Sequence, residues 1–133
     1  MTEELKKWIR SALPSVLGND AADVCVDAAN VCIGAVEYKL RPDLGLLRGP
    51  FNGQRSPQEL FLSLVEKLTP AAIIETGTYL GTTTELLADT GVPIFSVESH
   101  PRRYGFSKVR FWRRRNVHLL RGDSRAALRI SRR

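Results

Sequence analysis

The alternation that begins after Pro70 restricts this chain more than any other feature of its sequence. Ala71-Ala72-Ile73-Ile74-Glu75 is a short apolar run that reads as a strand buried on both faces. A Gly/Thr turn and a helix over 82–89 follow. Thr90-Gly91-Val92-Pro93 then separates that helix from a second strand over 94–98, and a helix over 101–115 leads to a third strand at 117–120. Strand, helix, strand, helix, strand is the pattern of βαβ units, whose crossover helices return the chain to run parallel to its previous strand. The expected class is α/β, with a partial parallel sheet of about three strands and flanking helices. With 133 residues there is enough chain for one core. A full six- or seven-stranded doubly wound sheet needs about 200 residues, so the sheet expected here is incomplete.

The residues ahead of this unit, 1–49, are expected to form a helical extension. Leu5, Trp8, Ile9, Ala12 and Leu13 make an amphipathic stripe that stops at Pro14. A second helix is expected over 20–37. Its polar residues Asp20, Asp23, Asp27, Asn30, Gly34 and Glu37 recur three and four apart and so form one narrow solvated seam, while Val24, Cys25, Ala28, Val31, Cys32, Ala35 and Val36 cover the rest. This spacing predicts a mostly buried helix, with the aspartate row solvated rather than metal-binding. Cys25 and Cys32, seven apart, share a helix face and match no CxxC pattern, so they read as reduced core thiols. Residues 41–56, rich in Gly, Pro and Asn, read as a loop. Ser56-Pro57-Gln58-Glu59 reads as a helix start, with Ser56 as N-cap and Glu59 completing a capping box; Leu60, Phe61, Leu64, Val65 and Leu68 supply the apolar face up to Thr69-Pro70.

The candidate site is the segment that follows the first strand, Glu75-Thr76-Gly77-Thr78-Tyr79-Leu80-Gly81-Thr82-Thr83. Gly77 permits a sharp turn, and Gly81 permits close approach of helix and strand. Thr82 and Thr83 place hydroxyls and free N–H groups at the helix start, where a polar or anionic ligand is accommodated. Glu98 closes the second strand and Asp123, followed by Ser124, closes the third. In an open α/β sheet the carboxyl ends of the strands point into one crevice, so Glu75, Glu98 and Asp123 are expected to converge on one ligand. Glu98, with Ser99 behind it, falls where such sheets place a carboxylate that holds a ribose diol.

At these residues the chain resembles the class I S-adenosylmethionine-dependent methyltransferases, and its phrasing PFNGQ at 50–54, IIETGTYLGTTTELLA at 73–88, VESHPRRYGF at 97–106 and LLRGDSRAAL at 119–128 is similar to bacterial methyltransferase-like proteins of that superfamily. The resemblance covers about residues 50–130. It implies a Rossmann-like domain over 50–133 that binds S-adenosylmethionine. It further implies that Glu75, Thr76 and the stretch from Gly77 through Thr78 and Tyr79 to Gly81 border the methionine part, that Glu98 holds the ribose hydroxyls, and that Asp123 and Ser124 approach the adenine. The loop lacks the G-x-G-x-x-G spacing of a dinucleotide site, which disfavours NAD. The fourth strand and acceptor-facing acids of the family are absent, because Ala126-Ala127-Leu128-Arg129-Ile130 runs directly into Ser131-Arg132-Arg133. Natural truncation, a segment of a longer product, or completion by another chain all fit that ending. No catalytic base is assigned. His100 reads as an exposed loop histidine or as part of the pocket mouth, and His118 as part of the third strand.

Charge is divided along the chain: residues 1–100 carry 8 basic and 13 acidic side chains, net −5, and residues 101–133 carry 12 basic and 1 acidic, net +11. Arg113-Arg114-Arg115 beside Phe111 and Trp112 interleaves basic and aromatic residues as nucleic-acid surfaces do. The alternative is a helix end whose cations complement the helix dipole, with Trp112 packed on the sheet. The acid-rich amino terminus lacks the pattern of a signal peptide, and no run reaches membrane-span length, so the expectation is a cytoplasmic chain without membrane contact. A sheet of three strands leaves an unpaired edge, and self-association through it is expected.

Overall fold

Residues 19–125 are described by the computed structural model. The amphipathic stripe at 5–13 and the segment after Arg125 lie outside them. In chain order the elements are α1 (Asn19–Leu40), two 3-10 turns (Pro42–Leu46 and Pro50–Gly53), α2 (Arg55–Leu68), β1 (Ile73–Thr76), α3 (Thr82–Ala88), β2 (Ile94–Glu98), α4 (Pro101–Arg110) and β3 (Val117–Arg121). The three strands form one parallel sheet in the order β1-β2-β3. The α/β class, the strand positions and the parallel pairing agree with the sequence reading.

Register decides which side chains build the core. Ile73, Ile94 and Val117 sit side by side across the sheet, and on that face Leu87 and Ala88 of α3 and Phe61 and Val65 of α2 close over them. The opposite face carries Ile74, Phe95, Val97, His118 and Leu120, and it is open around β1: Val97 is buried, but Ile74 is 56% exposed and Phe95 39%, its ring stacked on His118 at 4.8 Å. The first strand is therefore buried on one face, not both. An apolar run of this length cannot distinguish the two cases by pattern alone. Among the described residues β1 and β3 each have one strand neighbour.

The helix over 19–40 reverses the expected orientation. The part of its polar seam from Asp27 through Asn30 and Gly34 to Glu37 is on the packed face, and its apolar residues Val24, Cys25, Ala28, Cys32 and Val36 point to solvent, Val24 being 67% exposed. Both cysteines are thus exposed thiols rather than core thiols. The cause is backbone contact. A Cβ on Gly34 would lie 1.8 Å from the Arg102 carbonyl oxygen, and one on Gly105 would lie 2.0 Å from that of Val31. Two glycines facing each other let α1 and α4 meet main chain to main chain, an approach no bulky apolar face allows. Around this contact Glu37 receives two hydrogen bonds from Arg102 at 2.8 Å, Asp27 pairs with Arg121, and Tyr38 meets Phe106 edge-on at 5.2 Å. Of the acids read as solvated, Asp27 and Glu37 are ion-pair partners.

Three smaller expectations also change. The helix α2 begins at Arg55 after Gln54, with no side-chain cap, so Ser56 and Glu59 form no capping box; Gln58 reaches back instead to the Pro50 carbonyl at 2.8 Å. Of its apolar face only Phe61 and Val65 join the core, while Leu60, Leu64 and Leu68 are exposed. The helix α4 stops at Arg110 rather than continuing to 115, and Trp112 lies 68% exposed under the Arg113 guanidinium instead of packing on the sheet.

Candidate functional site

The turn after β1 is drawn across the end of β2 by its own polar groups. Gly77, at φ 87°, donates its N–H to the Val97 carbonyl at 2.8 Å. Next, the Tyr79 N–H donates to Glu98 at 2.7 Å and the Tyr79 carbonyl accepts from Ser107 Oγ at 3.0 Å, which holds Tyr79 at φ 53°. Gly81 ends the turn at φ 81°, and a Cβ there would lie 2.4 Å from the Phe111 ring. Only glycine satisfies both the angle and the contact.

The threonines that open α3 serve the preceding loop. Thr82 Oγ1 donates to the Gly45 carbonyl at 2.8 Å, and Thr83 Oγ1 accepts the Phe51 N–H at 3.1 Å. Arg110 reinforces this junction: its guanidinium donates to the Gly45 and Leu80 carbonyls, both at 2.7 Å, and pairs with Glu85. Residues 42–53 are thereby fixed beside the turn after β1, and the two segments enclose a cavity of about 660 Å³ at the carboxyl end of that strand. Its walls include Glu75, Thr76, Gly77, Thr78, Tyr79, Thr82 and Thr83 from the expected site. Leu47, Arg48, Phe51, Asn52 and Arg103 complete it, none of which the sequence pointed to as ligand-facing. The available signal was the density of Gly, Pro and Asn at 49–53, which indicates special backbone angles without saying what the backbone surrounds.

Glu75 is the one carboxylate on the cavity wall. Its Oε2 accepts from Thr84 Oγ1 and Ser96 Oγ, both at 2.6 Å, and Ser96 in turn lies 2.5 Å from Thr78 Oγ1. Because the Ser96 proton goes to Glu75, Thr78 is the donor to Ser96, and the chain of hydroxyls is ordered toward the carboxylate. Both hydrogen bonds fall on Oε2, and Oε1 has no hydrogen-bond partner among the described residues, while Glu75 stands on the cavity wall. Burial pushes the Glu75 pKa above the ordinary glutamate value, the nearby Glu98 carboxylate adds to this, and the two hydroxyls oppose it.

That shift has a sign for stability. The folded chain takes up the Glu75 proton at higher pH than the unfolded chain, so raising pH from the ordinary glutamate value through the raised one costs stability. Glu75→Gln, which keeps an oxygen for Thr84 and Ser96, is expected to be more stable than the parent near neutral pH. The advantage should shrink as pH falls below the ordinary glutamate value. Urea unfolding across pH measures this, and a parent equal to or more stable than the variant at neutral pH would contradict it.

The other predicted residues are placed differently. Glu98 is 4% exposed, off the cavity wall, and its two oxygens accept the Tyr79 N–H at 2.7 Å and the His100 N–H at 2.8 Å. Its carboxylate thus joins the turn after β1 to the start of α4. Ser99 and His100 are exposed beyond it. Asp123 is exposed and accepts from Arg125, whose guanidinium holds its carboxyl below the usual aspartate range; Ser124 follows at the start of a helical turn. Glu75, Glu98 and Asp123 do end adjacent strands, since Glu98 is paired with Arg121 in the sheet and its carbonyl accepts the Gly122 N–H at 3.0 Å. Only Glu75 among them faces the cavity.

The divided charge is satisfied internally in part, by four of the twelve basic side chains after residue 100. Arg102 pairs with Glu37, Arg110 with Glu85, Arg114 with Asp89 and Arg121 with Asp27, so the basic third of the chain meets acids of the first two thirds. Among the described residues no helix is long and apolar enough to cross a membrane. Comparison with known proteins adds no relative: no family model, no curated protein and no solved structure matches this chain.

Proposed function

We propose that this chain is a Rossmann-like, S-adenosylmethionine-binding domain of the methyltransferase type. One observation carries the reading: a cavity at the carboxyl end of the first strand, walled by the Glu75–Thr83 turn, with a carboxylate oxygen of Glu75 that has no hydrogen-bond partner among the described residues. The cofactor's methionine part carries an ammonium and a sulfonium, and Glu75 Oε1 would receive the ammonium. When bound, the cofactor supplies an already activated methyl group, so the chain's own contribution is to position it and to keep water out. Thr78, Ser96 and Thr84 hold Glu75 in place for that task. Because Glu98 is taken up by backbone N–H groups, the reading rests on the methionine end rather than on the ribose. Self-association through an open sheet edge belongs to the same proposal, since among the described residues β1 and β3 each have one strand neighbour.

A second reading takes the chain as a non-catalytic remnant whose basic third binds nucleic acid or an acidic partner. It rests on the exposed Trp112, stacked 4.6 Å from the Arg113 guanidinium. The internal pairing of Arg102, Arg110, Arg114 and Arg121 weighs against it.

Calorimetric titration decides between them. S-Adenosylmethionine is expected to bind saturably, NAD and a single-stranded oligonucleotide not at all. Glu75→Gln should weaken the cofactor at least about tenfold, or ~1.4 kcal/mol, the scale of one charge-assisted hydrogen bond. A folded sample that gives no heat with the cofactor would remove the reading.

A further inference from the structure

The cavity contains a feature that neither the turn after β1 nor the methionine reading uses. Two arginines, Arg48 and Arg103, stand on its wall. Arg41, Arg102, Arg110, Arg114, Arg121 and Arg125 each hold a carboxylate elsewhere in the fold. Arg48 and Arg103 hold none among the described residues, and both line the same half-open cavity, exposed to solvent. The wall therefore carries two uncompensated guanidinium groups against the single carboxylate of Glu75.

Arg103 is held through its side chain, and Arg48 is set by a constrained backbone. The Arg103 guanidinium lies 4.5 Å over the Tyr79 ring. Stacking occupies the flat face of a guanidinium and leaves its N–H groups, which point outward in the plane, free to donate. Tyr79 itself is anchored through its N–H and carbonyl to Glu98 and Ser107. Arg48 sits at φ 68°, in the left-handed region, with Phe51 at 49° and Asn52 at 56° close behind it. Among the described residues five non-glycines have positive φ, and four of them, Arg48, Phe51, Asn52 and Tyr79, line this cavity. Such conformations are unfavourable for residues with a Cβ and persist where surrounding structure forces them, most often at ligand sites. Here the forcing contacts are the Phe51 N–H to Thr83 and the Tyr79 N–H to Glu98.

We propose that Arg48 and Arg103 form an oxyanion subsite in this cavity that takes a carboxylate or phosphate group of a small-molecule ligand. Two donors of this kind suit an oxyanion, because a guanidinium presents paired N–H groups at the spacing of two oxygens on one carbon or phosphorus. The inference goes beyond the methionine reading, since it holds for any ligand bearing such a group and is tested without the cofactor. Two sources fit: the carboxylate of the cofactor itself, or an acidic second substrate.

The test is titration of the full chain with inorganic phosphate in a low-chloride amine buffer. Saturable binding is expected, weakened at least tenfold in Arg48→Gln/Arg103→Gln and less in Arg48→Lys/Arg103→Lys, which keeps the charge and loses the fork. Arg113→Gln/Arg115→Gln, a change to two basic residues outside the cavity, should bind as the parent does. Circular dichroism confirms that each variant is folded. Absence of saturable binding in the parent, equal binding in the Arg48/Arg103 variant, or equal loss in the Arg113/Arg115 variant would overturn the proposal. Repeating the titration with saturating S-adenosylmethionine separates the sources: displacement of phosphate assigns the subsite to the cofactor's carboxylate, and retention assigns it to a second substrate. Should the cofactor itself not bind, the methionine reading falls while the phosphate result stands.

Discussion

Alanine at Gly34 is expected to destabilise the fold by about 3 kcal/mol, against the sign that the same change has on an open helix surface. Replacing glycine by alanine within a solvated helix gains about 1 kcal/mol. At Gly34 the new methyl would lie 1.8 Å from the Arg102 carbonyl oxygen, whereas a carbon in contact with such an oxygen needs about 3.3 Å. The backbones of α1 and α4 must part by more than 1 Å, roughly the difference between those distances, and overpacking of this kind costs about 1–3 kcal/mol or more. Parting them also lengthens the Gly105–Val31 contact and strains the Glu37–Arg102 and Asp27–Arg121 pairs. At about 3–5 °C per kcal/mol for a domain of this size, the thermal midpoint should fall by roughly 10–15 °C. Ala28→Gly, on the outward face of the same helix, supplies the control and should cost only the helix-propensity difference of about 1 kcal/mol. A midpoint raised by Gly34→Ala would mean that α1 does not pack in this way.

Removing the carboxylate of Glu98 should cost about 2–4 kcal/mol. Two backbone N–H groups, of Tyr79 and His100, donate to it within a site that is 4% exposed. In Glu98→Ala both lose their acceptor, and because Tyr79 and His100 are themselves exposed each part-buried donor costs toward the lower end of the about 1–3 kcal/mol of a buried one. Glu98→Gln should lose less, because one oxygen remains, yet its NH2 would face an N–H where an acceptor is needed. Two readouts make the test specific. Urea unfolding gives the loss of stability, and the amide resonances of Tyr79 and His100 should shift more than those of residues elsewhere. Ligand affinity should fall together with stability, because Tyr79 belongs to the cavity wall. A variant of unchanged stability that had lost only cofactor affinity would return Glu98 to the ribose-binding role implied by the family resemblance.

These two residues also mark where sequence reading succeeds and where it fails. The strands at 73, 94 and 117 were legible because short β-branched runs bounded by Gly and Pro have few other uses. The turn at 75–83 was legible because two glycines spaced by three residues after a strand demand a tight return of the chain. Orientation of α1 was not legible. A periodic pattern shows that a helix has two unlike faces, but which face packs depended on Gly34 meeting Gly105, a pairing of residues 71 apart in the chain. Likewise Glu98 was visible as an acid at a strand end, while its use by main-chain donors depended on how the turn after β1 crosses it. Arg48 and Arg103 were missed for a related reason. An arginine announces a charge, and only the positions of the other carboxylates reveal which arginines have been left without one.

The order of the strands has one further consequence. A parallel strand shares its backbone groups with neighbours on both sides, and in a sheet of three only the middle one can do so. Ile94–Glu98 is that strand, and four of its five residues are buried. It aligns Ile73 with Val117 across the core and supplies Ser96 to Glu75 and Glu98 to the turn. The same five residues therefore act as keystone for both the scaffold and the cavity. Neither can come apart while β2 keeps its two neighbours, and neither can persist once it loses them.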